Sequence, residues 1–292
     1  MAPLGSLGTA RAGLEVRGDG GGRSRAGLAR RRDPPGYRGG NSIIAITRDV
    51  SPSIAQAELT HLERTPIDYG HAVAQHHEYR GLLASLGCAV IDLPGDDRHP
   101  DCVFIEDTAL VFDDLAVITR PGADSRRGEV DVVADALARY RPLVRIEAPA
   151  TLDGGDVLVL DDRIYVGLSE RSNQAAIDQL RLLTGREVIG VDVHGALHLK
   201  TAITRVSRDT LLVNRAWLDL APFAGWTLLD ADPGEPFGAN ALLVGDVVIY
   251  PVAFPRTRAR LVEHGLDVRT VHADELAKAE GGVTCCSLLV SA

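Results

Sequence analysis

At 292 residues, with 45% hydrophobic and 24% charged positions, the chain has the composition of a globular protein with enough length for one large or two small domains. A formal charge of −9 argues against a nucleic-acid partner, which calls for a basic face, and no apolar run approaches the roughly 20 residues of a membrane span. Four cysteines, Cys88, Cys102, Cys285 and Cys286, are too few for a disulfide scaffold; with no secretory signal visible, the expected setting is the reducing cytoplasm.

In chain order, residues 1–41 read as a disordered leader. Gly18, Gly20, Gly21 and Gly22 precede Arg30, Arg31 and Arg32, then Pro34 and Pro35, too little apolar surface to offset ordering entropy. An Arg-rich targeting segment is the rival, although Glu15 and Asp19 spoil an amphipathic helix there; an upstream start-site artefact is a third reading. Residues 42–292 read as one catalytic domain. It opens with a strand at 42–47, a helix at 69–86 and a strand at 89–93. A strand at 107–112 then turns at Asp113 and Asp114 into a second at 115–119. A helix carrying Val130, Val132, Val133, Leu137 and Tyr140 on one side follows, then a strand at 143–146.

That order recurs. Strands at 157–160 and 164–166 flank Asp161 and Asp162, followed by a helix at 173–183 and a strand at 188–191. Strands at 201–206 and 211–213 flank Arg208 and Asp209, followed by a short helical piece and a strand at 226–229. Strands at 241–244 and 247–250 flank Gly245 and Asp246, followed by a helix at 257–264 and a strand at 268–271. A last strand, 283–290, pairs with the first. The turn aspartates 114, 162, 209 and 246 lie about 48, 47 and 37 positions apart, the mark of a repeat. The expected architecture is α/β, a five-bladed pseudo-symmetric propeller of hairpin-helix-strand units around a central channel, closed by the two chain ends. A mixed α/β sandwich is the alternative.

Four segments place polar groups at strand ends. They are Asp101-Cys-Val-Phe-Ile-Glu-Asp107, Thr151-Leu-Asp-Gly-Gly-Asp156, His194-Gly-Ala-Leu-His-Leu-Lys200 and Glu280-Gly-Gly-Val-Thr-Cys-Cys-Ser287. Each has a plain reading: a solvated acidic turn, an Asp-Gly turn, a core histidine, and buried small thiols or a vicinal disulfide. The paired glycines before Asp156 permit close backbone approach or positive φ, and those before Cys285 suit a nucleophile on a tight turn. The four occupy similar places in successive units, where a closed ring points side chains into its channel. Carboxylates, an imidazole and a thiolate gathered there call for a cation, and a planar guanidinium satisfies them bidentately.

With Ile118-Thr-Arg-Pro-Gly-Ala123, Ser125-Arg-Arg127, Val166-Gly-Leu-Ser169 and Arg171-Ser-Asn-Gln174, these motifs resemble, in order and at compatible spacing over roughly residues 42–292, the dimethylarginine dimethylaminohydrolases of the guanidino-modifying superfamily. The resemblance implies a five-bladed α/β propeller that hydrolyses Nω-methylated arginines to citrulline and methylamine or dimethylamine, with a small-molecule substrate and neither cofactor nor metal. It implies Cys285 as the nucleophile forming a thiouronium, His198 as acid and base, and Asp153 orienting His198. Glu106 and Asp107 would line the carboxylate site, Asp101 meet the substrate α-amino group, and Arg126 and Arg171 grip its α-carboxylate. Leu59 matches a residue of a mobile lid and Ala279 a backbone contact, while Glu280 stands where the family often has Asp. An arginine deiminase acting on unmethylated arginine and a non-catalytic arginine-binding module are the alternatives. No membrane partner is expected, and the assembly is a monomer or homodimer.

Overall fold

A computed structural model describes residues 43–291; the leader expected over residues 1–41 lies outside them. The first strand β1 (Ile43–Arg48) is followed by helix α1 (Tyr69–Ser85) and β2 (Ala89–Leu93). Asp68 starts α1 by accepting the His71 N–H at 2.9 Å, and Ala72, His76, Tyr79 and Leu83 bury one stripe of it. The next unit is β3 (Ala109–Val111), β4 (Ala116–Ile118), α2 (Val130–Leu137) and β5 (Leu143–Arg145). The third is β6 (Val157–Leu160), β7 (Arg163–Leu168), α3 (Gln174–Thr184) and β8 (Glu187–Asp192). In it Asn173 caps the start of α3, and Gly185 ends the helix at φ 65°.

The fourth unit is α4 (Leu199–Ala202), β9 (Ile203–Arg205), β10 (Thr210–Val213) and β11 (Thr227–Asp230). The fifth is β12 (Leu242–Val244), β13 (Val247–Pro251), α5 (Pro255–Glu263) and β14 (Asp267–Val271), followed by α6 (Asp274–Ala277) and β15 (Leu288–Ser291). Each unit is a three-stranded sheet. An antiparallel hairpin such as Val157↔Val166 is extended by a parallel outer strand, as in Val166↔Gly190. The first sheet of the ring is assembled from both ends, with β1 antiparallel to β15 from Ile43↔Ser291 to Ile46↔Leu288.

Strand alternation explains why five small sheets make one propeller. Successive side chains of a strand face opposite ways, and each middle strand is buried on both faces. On β4, Val117 joins the apolar cluster shared with the third sheet, while Ala116 and Ile118 join the one shared with the first. On β10, Leu211 and Val213 face the third sheet's Leu158 and Tyr165, and Leu212 faces the fifth sheet's Val248 and Tyr250. Ala45 of β1 packs with Val244 and Ile249 of the fifth sheet, and Ile46 packs with Ile105 and Ile118 of the second. A separate core thus fills every join between neighbouring blades, including the join that closes the circle.

Three expected strands start later than their sequences suggest: residues 107–108, read as strand, belong to a 3-10 turn over Ile105–Thr108. Residues 201–202, read as the start of a strand, belong to α4, and residues 283–287, read as strand, form a turn ahead of β15. The latter two are held by contacts from other blades. The Leu199 N–H donates to Asp156 Oδ1 at 2.9 Å, and the Thr284 N–H donates to Asn240 Oδ1 at 3.2 Å. These tertiary bonds outweigh the β propensity of Thr201, Val283 and Thr284.

Candidate active site

Each blade carries its chemistry just ahead of its innermost strand. Glu106 and Asp107 precede β3, Asp153 and Asp156 precede β6, His198 precedes β9, Asn240 precedes β12, and Cys285 precedes β15. Five loops therefore converge on one end of the ring. Asp101, Asp107, Arg126, Arg171, His198, Ala279 and Cys285 line a single cleft there. The thiol and the imidazole, far apart in sequence, share it. Cys285 is half-buried; both it and Cys286 are free thiols, so the vicinal disulfide is absent.

His198 Nε2 lies 3.1 Å from Asp153 Oδ2, and its Nδ1 lies 4.0 Å from Asp107 Oδ1. Asp153 is fixed in turn by the Gly122 N–H at 2.8 Å, and Asp107 by the Gly155 N–H at 2.8 Å. The paired glycines are there for close approach, not positive φ. A Cβ on Gly154 would sit 1.9 Å from the Glu106 carbonyl oxygen, and one on Gly155 2.5 Å from His198 Nδ1. Burial opposes charge on His198, yet Asp107 and the bond to Asp153, with Asp156 behind them, raise its pKa to about 9. Burial also opposes charge on Asp107, but His198 and Arg126 hold it down at about 2. Burial, reinforced by Glu106 and Asp107, pushes the Cys285 thiol up to about 12, against the Gly282 N–H that donates to its sulfur at 3.4 Å. The resting site is therefore a neutral thiol that shares its cleft with an imidazolium and the ionised Asp107.

The other expected residues sort by what they touch. Glu106 lies behind the cleft, pairing with Lys200 Nζ at 2.5 Å and accepting from Thr284 Oγ1 at 2.9 Å. Arg126 borders the cleft, but its guanidinium is already committed to Asp107 at 2.6 Å and to Glu129 at 2.9 Å. Burial raises Asp101 to about 6, and its carboxylate accepts the Glu58 N–H at 3.1 Å. Arg171 Nη2 donates to Thr60 Oγ1 at 2.9 Å. Leu59, half-buried, lies between these two anchor points on the irregular segment 57–68 and outside the cleft lining.

Four participants carried no assigned role in the sequence. Glu280, in the left-handed region at φ 61°, accepts the N–H groups of Thr60, His61 and Leu62 at 2.9, 2.6 and 2.7 Å. Its extra methylene relative to Asp gives it the reach to hold the segment over the thiol. Asn240 donates to the Lys200 carbonyl and to Thr284 Oγ1, both at 3.0 Å, joining the imidazole and thiol loops. The repeat was its signal, since it stands where each other blade carries a site residue. Asp156 accepts Ser169 and Ser172 hydroxyls at 2.6 and 2.7 Å, and Lys200 neutralises Glu106. Asp107, Asp153 and His198 place ligand atoms within 4.8 Å of one another, a spacing open to a metal ion. A metal would first have to displace a proton from an imidazole that holds it up to about 9.

The family model described as N,N dimethylarginine dimethylhydrolase, eukaryotic, matches residues 56–219. A relative from Pseudomonas aeruginosa, an N(G),N(G)-dimethylarginine dimethylaminohydrolase, is 35% identical over 76% of this chain and 89% of its own length. One of the same name from Streptomyces coelicolor is 37% identical over 84% and 95%. The solved P. aeruginosa enzyme, a cysteine-to-serine mutant complexed with citrulline, superposes with a TM-score of 0.80 at 32% identity, covering 85% of this chain and 99% of that one. With the five-bladed α/β propeller and the thiol-imidazole-carboxylate cleft, these matches show that the chain belongs to the dimethylarginine dimethylaminohydrolase family.

Proposed function

We propose that this protein hydrolyses Nω-methylated arginines to citrulline and methylamine or dimethylamine, and that the Cys285-His198 cleft is where it does so. The observation that carries this reading is the shared cleft, in which a thiol and a charged imidazole meet the ionised Asp107, with Asp153 bonded to the imidazole. A guanidinium is the cation that suits them, since its planar N–H fork can bridge Asp107 and Asp153.

In this reading the substrate completes the activation of its own nucleophile. A thiol held at about 12 is unreactive at neutral pH. The arriving guanidinium supplies the positive charge that Glu106 and Asp107 deny the sulfur, and ionisation follows. The Cys285 thiolate attacks the guanidinium carbon, and His198, protonated below about 9, gives its proton to the departing methylated nitrogen. The neutral imidazole then takes a proton from water as it adds to the thiouronium, and the carbon-sulfur bond breaks to release citrulline. Asp153 holds the ring in place throughout.

Elsewhere on the cleft wall, Asp101 is suited to the substrate α-ammonium, and Arg171, whose Nη1 also lies 3.9 Å from Asp153 Oδ2, to its α-carboxylate. Arg126 serves first to keep Asp107 ionised and adds positive potential toward the carboxylate. The cleft offers about 20 Å³, room for little more than one water, so substrate entry requires segment 57–68 to lift. Asp101 and Arg171 both hold that segment down, so substrate and segment compete for the same two side chains. Among the described residues no helix is long and apolar enough to cross a membrane. The free thiols suit the reducing cytoplasm expected from the sequence.

The reading is tested by incubating purified protein with arginine, monomethylarginine and asymmetric dimethylarginine and measuring citrulline and released amine. Equimolar citrulline and dimethylamine from the last compound supports it. Citrulline from arginine alone would instead make the protein a deiminase, and binding without turnover a binding module.

A further inference from the structure

A second cavity opens on the far side of the nucleophile. It shares Leu197, Glu280, Gly281 and Cys285 with the cleft but none of the cleft's carboxylates or arginines from the second and third blades. Its volume is about 410 Å³, within the range of sites that hold whole small molecules. Leu62, Leu197, Phe237, Pro251, Phe254 and Ala273 give it an apolar wall, with polar side chains of His61, Glu63, Asp274, Lys278 and Glu280 also on its lining. Residues 61–63 and 65 belong to the same segment that Glu280 holds in place, so one segment borders both spaces.

Two spaces meeting at one sulfur impose a direction on any guanidine bound there. With its amino-acid end at Asp101 and Arg171, the reacting carbon lies at the junction and the ω-nitrogen substituent faces the apolar cavity. Two methyl groups, each about the size of a water molecule at about 30 Å³, leave most of the 410 Å³ empty. An apolar wall also gains from longer chains, about fourfold in binding for each methylene buried.

Resting on the reaction proposed above, we infer that the substrate class extends to arginines bearing larger apolar Nω-substituents, straight alkyl chains of several carbons among them. The chemistry is unchanged and balanced. The sulfur-carbon bond forms, and the bond from carbon to the alkylated nitrogen breaks. That nitrogen leaves with the His198 proton as a primary alkylamine, water supplies the oxygen of citrulline, and the thiol is regenerated. The departing chain already lies in a space separate from the one holding citrulline.

The test compares Nω-butyl-L-arginine with asymmetric dimethylarginine on the purified protein, measuring citrulline and butylamine. The expected result is equimolar products and a kcat/KM for the butyl compound within tenfold of that for dimethylarginine. A larger deficit for the butyl compound, with dimethylarginine still hydrolysed, overturns the inference and leaves the parent reaction standing. Turnover of neither compound sinks the parent reaction and this extension with it. Ala277→Phe, which places a ring in the cavity from an exposed position on its wall, gives an independent readout. It is expected to lower kcat/KM for the butyl compound at least tenfold more than for dimethylarginine. Equal losses on both substrates overturn the assignment of the cavity to the substituent.

Discussion

The two spaces on either side of Cys285 are built on opposite plans. On one side, blades two to four supply Asp107, Arg126, Asp153 and His198, all buried and all partnered, in a cleft with almost no free volume. On the other, the fifth blade supplies Phe237, Pro251 and Phe254 around a space some twenty times larger. Buried, preoriented polar groups reject a ligand that cannot complete their bonds, whereas an apolar wall separates neighbouring alkyl groups by only about 1–3 kcal/mol each. The charged side is therefore expected to demand an amino acid with a guanidinium, and the apolar side to be permissive about what that guanidinium carries.

Breaking the boundary itself should have the largest effect. Cys285→Ser is expected to lose at least about 10⁴-fold in kcat while still binding dimethylarginine, because only the covalent step is removed; single-turnover citrulline formation and calorimetry check the two halves. His198→Asn should cost about 10³-fold, and the wild-type pH profile should show why. kcat/KM should climb as pH rises through about 6, where Asp101 ionises, and fall as pH rises through about 9, where His198 loses the proton it must donate. A profile still climbing at pH 10 would assign control to thiol ionisation instead.

Removing a buried charge from the polar side tests its dependence on full pairing. Lys200→Met strands Glu106, whose carboxyl burial already pushes up, and should destabilise the fold by about 3 kcal/mol in urea denaturation. The smallest effect should come from Glu280→Asp, which shortens the reach to the Thr60, His61 and Leu62 amides. KM is expected to rise a few-fold, with faster hydrogen exchange at those three amides and kcat nearly unchanged.

The ring was legible because its grammar is local. Apolar pairs of short strands around acidic turns, each followed by a helix and one more strand, recur often enough to imply closure, and Asp114, Asp162, Asp209 and Asp246 all fall in the hairpin turns. The thiol, the imidazole and the orienting carboxylate were legible as motifs because each interrupts an apolar strand end. What sequence could not show is pairing across blades. Lys200 meets Glu106, Asp156 meets Leu199, and Asn240 meets Thr284 through separations of 40 or more positions. Those same bonds turn Leu199–Ala202 into helix and residues 283–287 into a turn, so the missed contacts and those two misread strand ends have one cause. Arg126 shows the limit of motif reasoning in another way. Its position bordering the cleft follows from the motif, but its commitment to Glu129, three residues on in the 3-10 turn over 124–129, and to Asp107 ahead of β3 shows only in the fold.

Closure of the circle through β1 and β15 also sets a timetable. The residues that complete the first sheet, Leu288–Ser291, emerge from the ribosome long after β1 has been made, and Cys285 immediately precedes them. Before that late pairing, the sulfur has neither the Gly282 contact nor the acidic neighbours that define its chemistry. A nascent or nicked chain lacking the final strand would keep its carboxylates, imidazole and arginines without the pairing that sets Cys285 among them. Shutting the last blade thus sets the sulfur in the cleft and, through burial, Glu106 and Asp107, holds it as a neutral thiol there.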